Sequence, residues 1–523
     1  MVKDARRVPA VSGWLPPTMQ QAGCQLPRAS GFLAVVVVAF VSGCAVGPDF
    51  ERPEAPPVSG YEKGRAPATT ASASVAGGEA QRLVRDRDIP GEWWRLFRSQ
   101  PLRTLIEDAL KNNYDLQAAQ AALRVARENV AAGTGAFFPS IDGGFSASRQ
   151  KVPADFFGEP ADPSIFNLYT GQVSVSYTPD VFGLTRRTVE SLDAQAEGQR
   201  FQLEATYLTL TSNIVVAAVQ EASLRGQIAA TQRIIKIASD LLNLLKRQRA
   251  LGQIAEADVV TQEAALAQIE QTLPPLQRQL GQQRHLLAAL AGRFPSQEPA
   301  EKFELAALHL PRDLPLSLPS KLVRQRPDVR AAEANLQSAS AQIGVAIANR
   351  LPNITLTAND GSTAFRFAEL FSPGTGLWAL AGSITQPIFR GGALLHKELA
   401  ARAAYDQAVA QYRSTVITAF QNVADTLTAL RTDAVALQKA VVSERASARS
   451  LAIARQRMEL GDINYLLLLN AQQTYQQALI NLVQARAARY ADTAALFQAL
   501  GGGWWNRDDV TPPPEPPFLP VFQ

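Results

Sequence analysis

This 523-residue chain has only two cysteines, Cys24 and Cys44, and three histidines, His285, His309 and His396. Each histidine stands alone, so neither a metal cluster nor a histidine-based triad can be assembled from neighbouring residues. Should Cys24 be removed with a leader, no internal disulfide is possible either. Net charge is also scarce. Of the formal +4, three charges come from Lys3, Arg6, Arg7 and Arg28 against Asp4, all before residue 44. The rest is close to neutral and carries no electrostatic footprint for a nucleic-acid partner. The apolar run from Phe32 to Val41 falls far short of the ~20 residues a helix needs to cross a bilayer. Proline, with 33 copies in the chain, is absent between Pro179 and Pro274 and between Pro387 and Pro512. Those two gaps leave room for very long helices.

The short apolar run has a basic residue before it, Arg28, and Ser42-Gly43 after it, which is the layout of a secretory signal. The end of the run, Val41-Ser42-Gly43-Cys44, resembles the bacterial lipobox. That resemblance implies cleavage before Cys44, a diacylglycerol on its thiol and an acyl group (N-palmitoyl) on its freed amine; the bland alternative is an ordinary export signal. Two acyl signals hold a protein on a membrane where one gives only marginal binding. Ala45 stands where many such lipoproteins carry an inner-membrane retention aspartate, which favours the outer membrane. The first eighteen residues, with three prolines and a tryptophan, make a poor basic leader and leave Met19 as an alternative start.

Internal repetition organises the remainder. NNYDLQAAQAALRVARENVAAGTGAFFPSI, ending at Ile141, matches RQRPDVRAAEANLQSASAQIGVAIANRLPNI, ending at Ile354, with Asp115 against Asp328. Pro179 to Gly183 answers Pro387 to Gly391, and Arg247 to Val260 answers Arg455 to Leu469. The expected organisation is 1–43 signal, 44–100 acylated extension, 101–317 first repeat, 318–500 second repeat and 501–523 proline-rich tail. Each repeat should open with one helical segment (Leu105, Leu116, Ala119, Leu123, Ala126 and Val130 in the first) that ends at Pro139 or Pro352. Two alternating strands follow. In GQVSVSYTP, Val173, Val175 and Tyr177 fall on one side; in LWALAGSITQP, Trp378, Leu380, Gly382 and Ile384 do. SIDGGFSAS and NITLTAND are their partners. Each proline-free tract then predicts a helix of about 100 Å at ~1.5 Å per residue, reversed by a hairpin at Gly252 or Gly461. Four strands of outer-membrane length are too few for even the smallest barrel, which uses ~8. Several chains must therefore pool their strands.

CAVGPDFERP, WWRLFRSQPLRTLIEDAL (Trp93 to Leu110) and LPSKLVRQRPDVRAAEANLQSASAQIGVAIANRLPNITL (Leu318 to Leu356) closely resemble the NodT-type lipoproteins of the TolC-like outer membrane factor family. The resemblance runs from Cys44 to Trp505. It implies a mixed α/β membrane protein and a homotrimer. Four strands from each protomer form a twelve-stranded transmembrane β-barrel, continued by a long periplasmic α-helical barrel. The implied role is the exit duct of a tripartite efflux pump, with a periplasmic adaptor and an inner-membrane transporter, of the RND type, as partners. Outer-membrane lipid is a further contact. Loops around Phe156-Phe157 and Phe367 to Leu370 then lie outside the cell, and both hairpins deep in the periplasm. The family often projects acidic residues into the closed entrance after each hairpin glycine. Here the first repeat keeps Asp258, six residues after Gly252, whereas the second has leucine and asparagine at the acidic positions. The implied gate is a leucine constriction (Leu466, or Leu467) ringed by Asp258 and Asn470, with Asp462 at its outer lip. Asp258 serving only the start of its helix is the structural alternative.

No catalytic residue, metal site or cofactor is expected beyond the acyl groups on Cys44. Trp93-Trp94 and Trp504-Trp505 read as packing residues or as a ligand platform, and Gly501 to Gly503 as a helix stop rather than a phosphate loop. Arg247, Arg249, Arg455 and Arg457 beside the hairpins either pair with carboxylates of the next helix or bind an acidic partner. Two other functions stay in view: a channel for type I protein secretion, and a non-conducting periplasmic scaffold. The four alternating strands argue against the scaffold.

Overall fold

A computed structural model describes residues 45–64, 67–152, 164–460, 462–463 and 465–507. Cys44, Gly461 and the loop at Phe156-Phe157 lie outside the described residues. In chain order the elements are β1 (Arg82–Arg85), α1 (Gln100–Asn112), α2 (Tyr114–Thr134), β2 (Ser140–Val152), β3 (Ser164–Tyr177), α3 (Leu184–Ala250), α4 (Glu256–Gln271), α5 (Leu273–Leu290), β4 (Asp313–Leu316), α6 (Pro319–Gln325), α7 (Pro327–Ala348), β5 (Asn353–Ala364), β6 (Gly376–Thr385), α8 (Ala393–Glu459) and α9 (Tyr465–Ala499). No described helix is long and apolar enough to cross a membrane.

The four expected strands form one antiparallel sheet in the order β2-β3-β5-β6. Directly opposed residues share a face, so the register sorts the side chains. Ile141 lies opposite Val175, Val173 opposite Asp360, Asp360 opposite Trp378, and Ala358 opposite Leu380. That face also carries Phe145, Leu356 and Ile384, and its large apolar groups are bare: Trp378, Leu380 and Ile384 are 75%, 74% and 72% exposed. The other face carries Ser140, Asp142, Ser146, Gln172, Ser174, Thr357 and Asn359. Burial in a water-soluble core would reverse this arrangement, leaving the apolar face covered and the hydroxyls outside. The edges β2 and β6 have no further strand partner within the sheet.

Helices α3 and α8 are 67 residues each, which at ~1.5 Å per residue is about 100 Å. Both begin after a glycine held left-handed, Gly183 and Gly392, each at φ +80°. That conformation disfavours a side chain and turns the chain sharply from strand to helix. The opening helix of each repeat is in fact two helices, a correction to the expected single segment. Asn113 stays extended between α1 and α2. Its Oδ1 caps the second helix by accepting from Leu116 N–H at 3.0 Å, while its amide donates to the Leu290 carbonyl at 3.0 Å. At the matching place Arg326 is extended between α6 and α7, because Pro327 disfavours helical geometry in the residue before it. Residues 501–507 are also folded rather than tail. Trp504 Nε1–H donates to the Gln325 carbonyl at 2.7 Å, and Asn506 Nδ2–H to Asp88 at 2.8 Å.

The main core gathers between the helices and the segments that link the repeats. Trp93, Trp94 and Phe97 are essentially inaccessible, and Trp93 stacks on Phe497 with ring centroids 5.2 Å apart. The tryptophan pair is therefore packing, not a platform. Beside it β1 and β4 form a two-stranded parallel sheet joining the N-terminal extension to the inter-repeat linker. Residues 70–81 then lie over α9, gripped by arginines. The buried Arg489 donates to Gln81 Oε1 at 2.7 Å and to the Glu79 carbonyl at 3.1 Å; Arg486 donates to Ala76 and Arg445 of α8 to Ser74, both at 3.0 Å.

Asp492, one turn beyond Arg489, shares a hydrogen bond with Asp433 of α8. Burial first, then that bond and the charge of Asp433, push its carboxyl up to about 7, against the pull of Arg489. A carboxyl raised in the folded state adds stability that is complete below its unfolded value near 4 and is lost as pH rises through about 7. The melting temperature of the purified protein should therefore rise, by about 3 °C or more, as pH is lowered from 8 to 5. Asp492→Asn should flatten that slope. An equally steep slope in Asp492→Asn would refute the assignment.

Candidate functional site

Three places on this frame bear on function: the neck under the sheet, the polar face of the sheet, and the far end of the hairpins. At the neck, the segment after residue 44 is built into the protein. Val46 N–H donates to the Phe182 carbonyl at 3.1 Å, five residues after β3 ends. Arg187 of α3, nearly buried, donates to the Val46 and Gly47 carbonyls at 3.1 and 3.3 Å and to Asp49 at 2.8 Å. The strand of chain fits because Gly47 lies against Gly344 of α7, where a Cβ on Gly47 would come within 2.5 Å of the Gly344 Cα. Lower down, Tyr61 O–H donates to the Ser317 carbonyl at 2.9 Å and Glu62 pairs with Arg431 at 2.6 Å. The chain from Val46 to Asp49 is thus held against the start of α3.

At the hairpin end, Gly252 turns the chain in the left-handed region at φ +70° with open space around it. Asp258 sits half-buried in the first turn of α4, where a carboxylate complements the positive helix end. The helix start has no side-chain cap, so capping is not its role. Its charge reaches Tyr465, the first residue of α9, whose hydroxyl is pushed up to about 12 by burial and then by Asp258. The Tyr465 hydroxyl donates to Gln262 Oε1, and the buried Gln262 amide donates to the Ala238 carbonyl at 2.8 Å. This bond ties the second hairpin to the first.

Around α9 the predicted gate residues divide cleanly. Leu466, Leu467 and Asn470 share the open face, with the leucines 58% and 50% exposed, while Tyr465, Leu468 and Leu469 turn inward. Asp462 pairs with Arg457 of its own hairpin at 2.7 Å, and Arg249 pairs with Glu256 across the other turn at 3.1 Å. Those two arginines therefore follow the bland reading, salt bridges within a hairpin. The structure brings Asp258 close to α9 but leaves Asp462 engaged elsewhere. Arg187, Tyr465 and Gln262 were not singled out from the sequence. Only Tyr465 left a trace there, as the one aromatic beside a four-leucine run.

The sequence model of the outer membrane efflux protein family matches residues 105–293 and 318–502. The probable efflux pump outer membrane protein SepC of Pseudomonas putida is 32% identical over 496 residues, covering 91% of this chain and 97% of SepC. The toluene efflux pump outer membrane protein TtgF of Pseudomonas putida matches with the same identity and coverage. Among solved structures, the outer-membrane channel OprN superposes with a TM-score of 0.79 at 28% identity, covering 88% of this chain and 100% of OprN. The chain belongs to the outer membrane efflux protein family and is the outer-membrane channel component of a tripartite efflux pump.

Proposed function

We propose that three copies of this chain close their sheets into a single twelve-stranded barrel, from which the α3 and α8 hairpins extend as one helical duct into the periplasm. The observation that carries this is a sheet with one bare apolar face, one hydroxyl-rich face and two unpaired edges. In hydrocarbon an unpaired edge costs several kcal/mol per unsatisfied backbone group, and joining β6 of one protomer to β2 of the next removes every edge at once. The recurrence of helix pair, strand pair and 67-residue helix supports descent by tandem duplication, with domains bounded at 43, 100, 317 and 500. Cys44 carries the S-diacylglycerol and N-palmitoyl groups, and the built-in neck segment supports an anchor at the level where the barrel leaves the membrane. A periplasmic adaptor and an inner-membrane transporter of the RND type load the duct. The name of TtgF, a toluene efflux pump protein, supports small organic solutes as cargo.

The anchor is tested by Cys44→Ser. Incorporated palmitate label should vanish, while transport survives in part because the barrel inserts by itself; undiminished label would end the lipoprotein reading. For topology, a cysteine at the exposed Ala368 should react with an impermeant maleimide on intact cells, and one at Ala255 should not. The reverse pattern would invert the protein in the membrane.

The gate is read in planar bilayers. Leu466, Leu467 and Asn470 on the open face of α9 support a constriction where three copies meet, with Asp258 close behind. Leu466→Ser should raise conductance. Asp258→Asn should lower cation selectivity more than Asp462→Asn, because Arg457 already neutralises Asp462. If conductance and selectivity stay at wild-type values in all three variants, these residues do not line the entrance.

A further inference from the structure

The polar face of the sheet carries mostly hydroxyls and amides, interrupted by Phe166 and Leu168 on β3 and by Leu377, Ala379 and Ala381 on β6, and one ionisable residue. Its members include Ser140, Ser146, Ser148 and Gln150 on β2, Thr170, Gln172, Ser174 and Ser176 on β3, and Thr357, Asn359 and Thr363 on β5. Asp142 is the exception, exposed and directly opposite Ser174. The other charged residues of the four strands, Arg149, Lys151 and Asp360, lie on the apolar face by register. No basic group on these strands therefore offsets Asp142 on its own face.

We propose that Asp142 sets the charge preference of the barrel lumen, making a neutral, hydroxyl-lined wall favour cationic and uncharged solutes over anions. This rests on the reading above, in which the apolar face meets lipid and the polar face lines the duct. Magnitudes decide where the effect operates. Twelve strands ~4.8 Å apart and tilted by about 40° enclose a backbone cylinder about 24 Å across. Its axis is thus about 12 Å from the wall, within the Debye length of about 30 Å at 0.01 M salt but well beyond the 3 Å at 1 M. The carboxylate ring biases the lumen in dilute media and is silent at high salt, and it acts at the wall at all but the highest ionic strengths.

The test measures local potential, so it does not depend on whether the periplasmic end is open. Ser174→Cys places a thiol across from Asp142 in the full-length protein in cell outer membranes. Methanethiosulfonates of matched size, one cationic and one anionic, are added outside, and the ratio of their reaction rates is read. Any effect of Asp142 on ionisation of the thiol cancels in that ratio. A unit charge about 5 Å away in water changes each rate by roughly fourfold in opposite directions. Adding Asp142→Asn should therefore lower the cation-to-anion ratio by about tenfold at 10 mM salt and leave it unchanged at 1 M. Asp360→Asn, behind the sheet and about 10 Å away, should change it no more than two- to threefold at 10 mM. Thr357→Cys, on the same face of β5 and about 12 Å from Asp142, replaces Ser174→Cys if that variant fails to reach the membrane, with a change of about twofold expected there at 10 mM salt. A reactive thiol whose ratio ignores Asp142→Asn overturns this inference and leaves the channel reading intact. Unreactive thiols at 174 and 357 with a reactive one in Val175→Cys would overturn the lumen assignment and the inference with it.

Discussion

A strand in hydrocarbon must have both edges paired, because no water is present to satisfy its backbone groups. One chain of this protein offers four strands and two open edges, β2 and β6, so the sheet is incomplete by itself. The rest of the architecture follows from that deficit. In the proposed barrel the sheet closes between copies, so it must emerge from each at the same height and tilt, and a rigid neck serves that. The left-handed Gly183 and Gly392 start the two 67-residue helices immediately beneath strands β3 and β6. The two halves of each protomer therefore leave the sheet by the same geometry.

Length imposes a second requirement. A helix of about 100 Å has far more side surface than its own sequence can cover, and α3 and α8 are correspondingly weakly amphipathic, with buried positions drifting round the axis. Neighbouring elements take up this surface: α7 and α2 beside α3 near the sheet, α4, α5 and α9 further along. Where apolar packing gives way to polar contacts, they are specific. Ser191 of α3 bonds Ser338 of α7 at 2.8 Å, and Gln484 of α9 bonds Gln227 of α3 at 3.2 Å. Bonds of this kind fix the sliding register of long parallel rods, which apolar contact alone leaves loosely defined.

Most of this frame was legible because it is periodic and repeated. The alternation of Val173, Val175 and Tyr177 and of Trp378, Leu380 and Ile384 gave the strands and their common face. The proline-free tracts gave both long helices, and Gly252 the turn after the first. What escaped was set by contacts distant in sequence. Asn113 caps α2, a local signal, but the carbonyl that holds its amide, Leu290, lies 177 residues away and left no mark. The β1–β4 pair and the arginine grip on residues 70–81 likewise join segments separated by hundreds of residues. At the hairpin end, a residue list was readable but its grouping was not. Helical phase turns Tyr465 inward and Leu466 outward, one residue apart, and Asp462 pairs with Arg457 of its own hairpin.

The N-terminal segment brings these constraints together. It passes under the sheet at Arg187, crosses α7 where Gly47 meets Gly344, pairs through Glu62 with Arg431 of α8, and joins the linker through β1. One extended strap thus touches both repeats. Such contacts resist separation of the two halves of a protomer better than an acyl chain could, since lipid restrains depth but not rotation. Its carbonyls and carboxylates accept from Arg187 and Arg431, and its Val46 N–H and Tyr61 O–H donate to the Phe182 and Ser317 carbonyls, so no single residue of the strap carries the restraint. An anchor that merely held the protein to the membrane would need none of this. The same segment therefore holds the two repeats in the relation that lets their strands meet in one sheet.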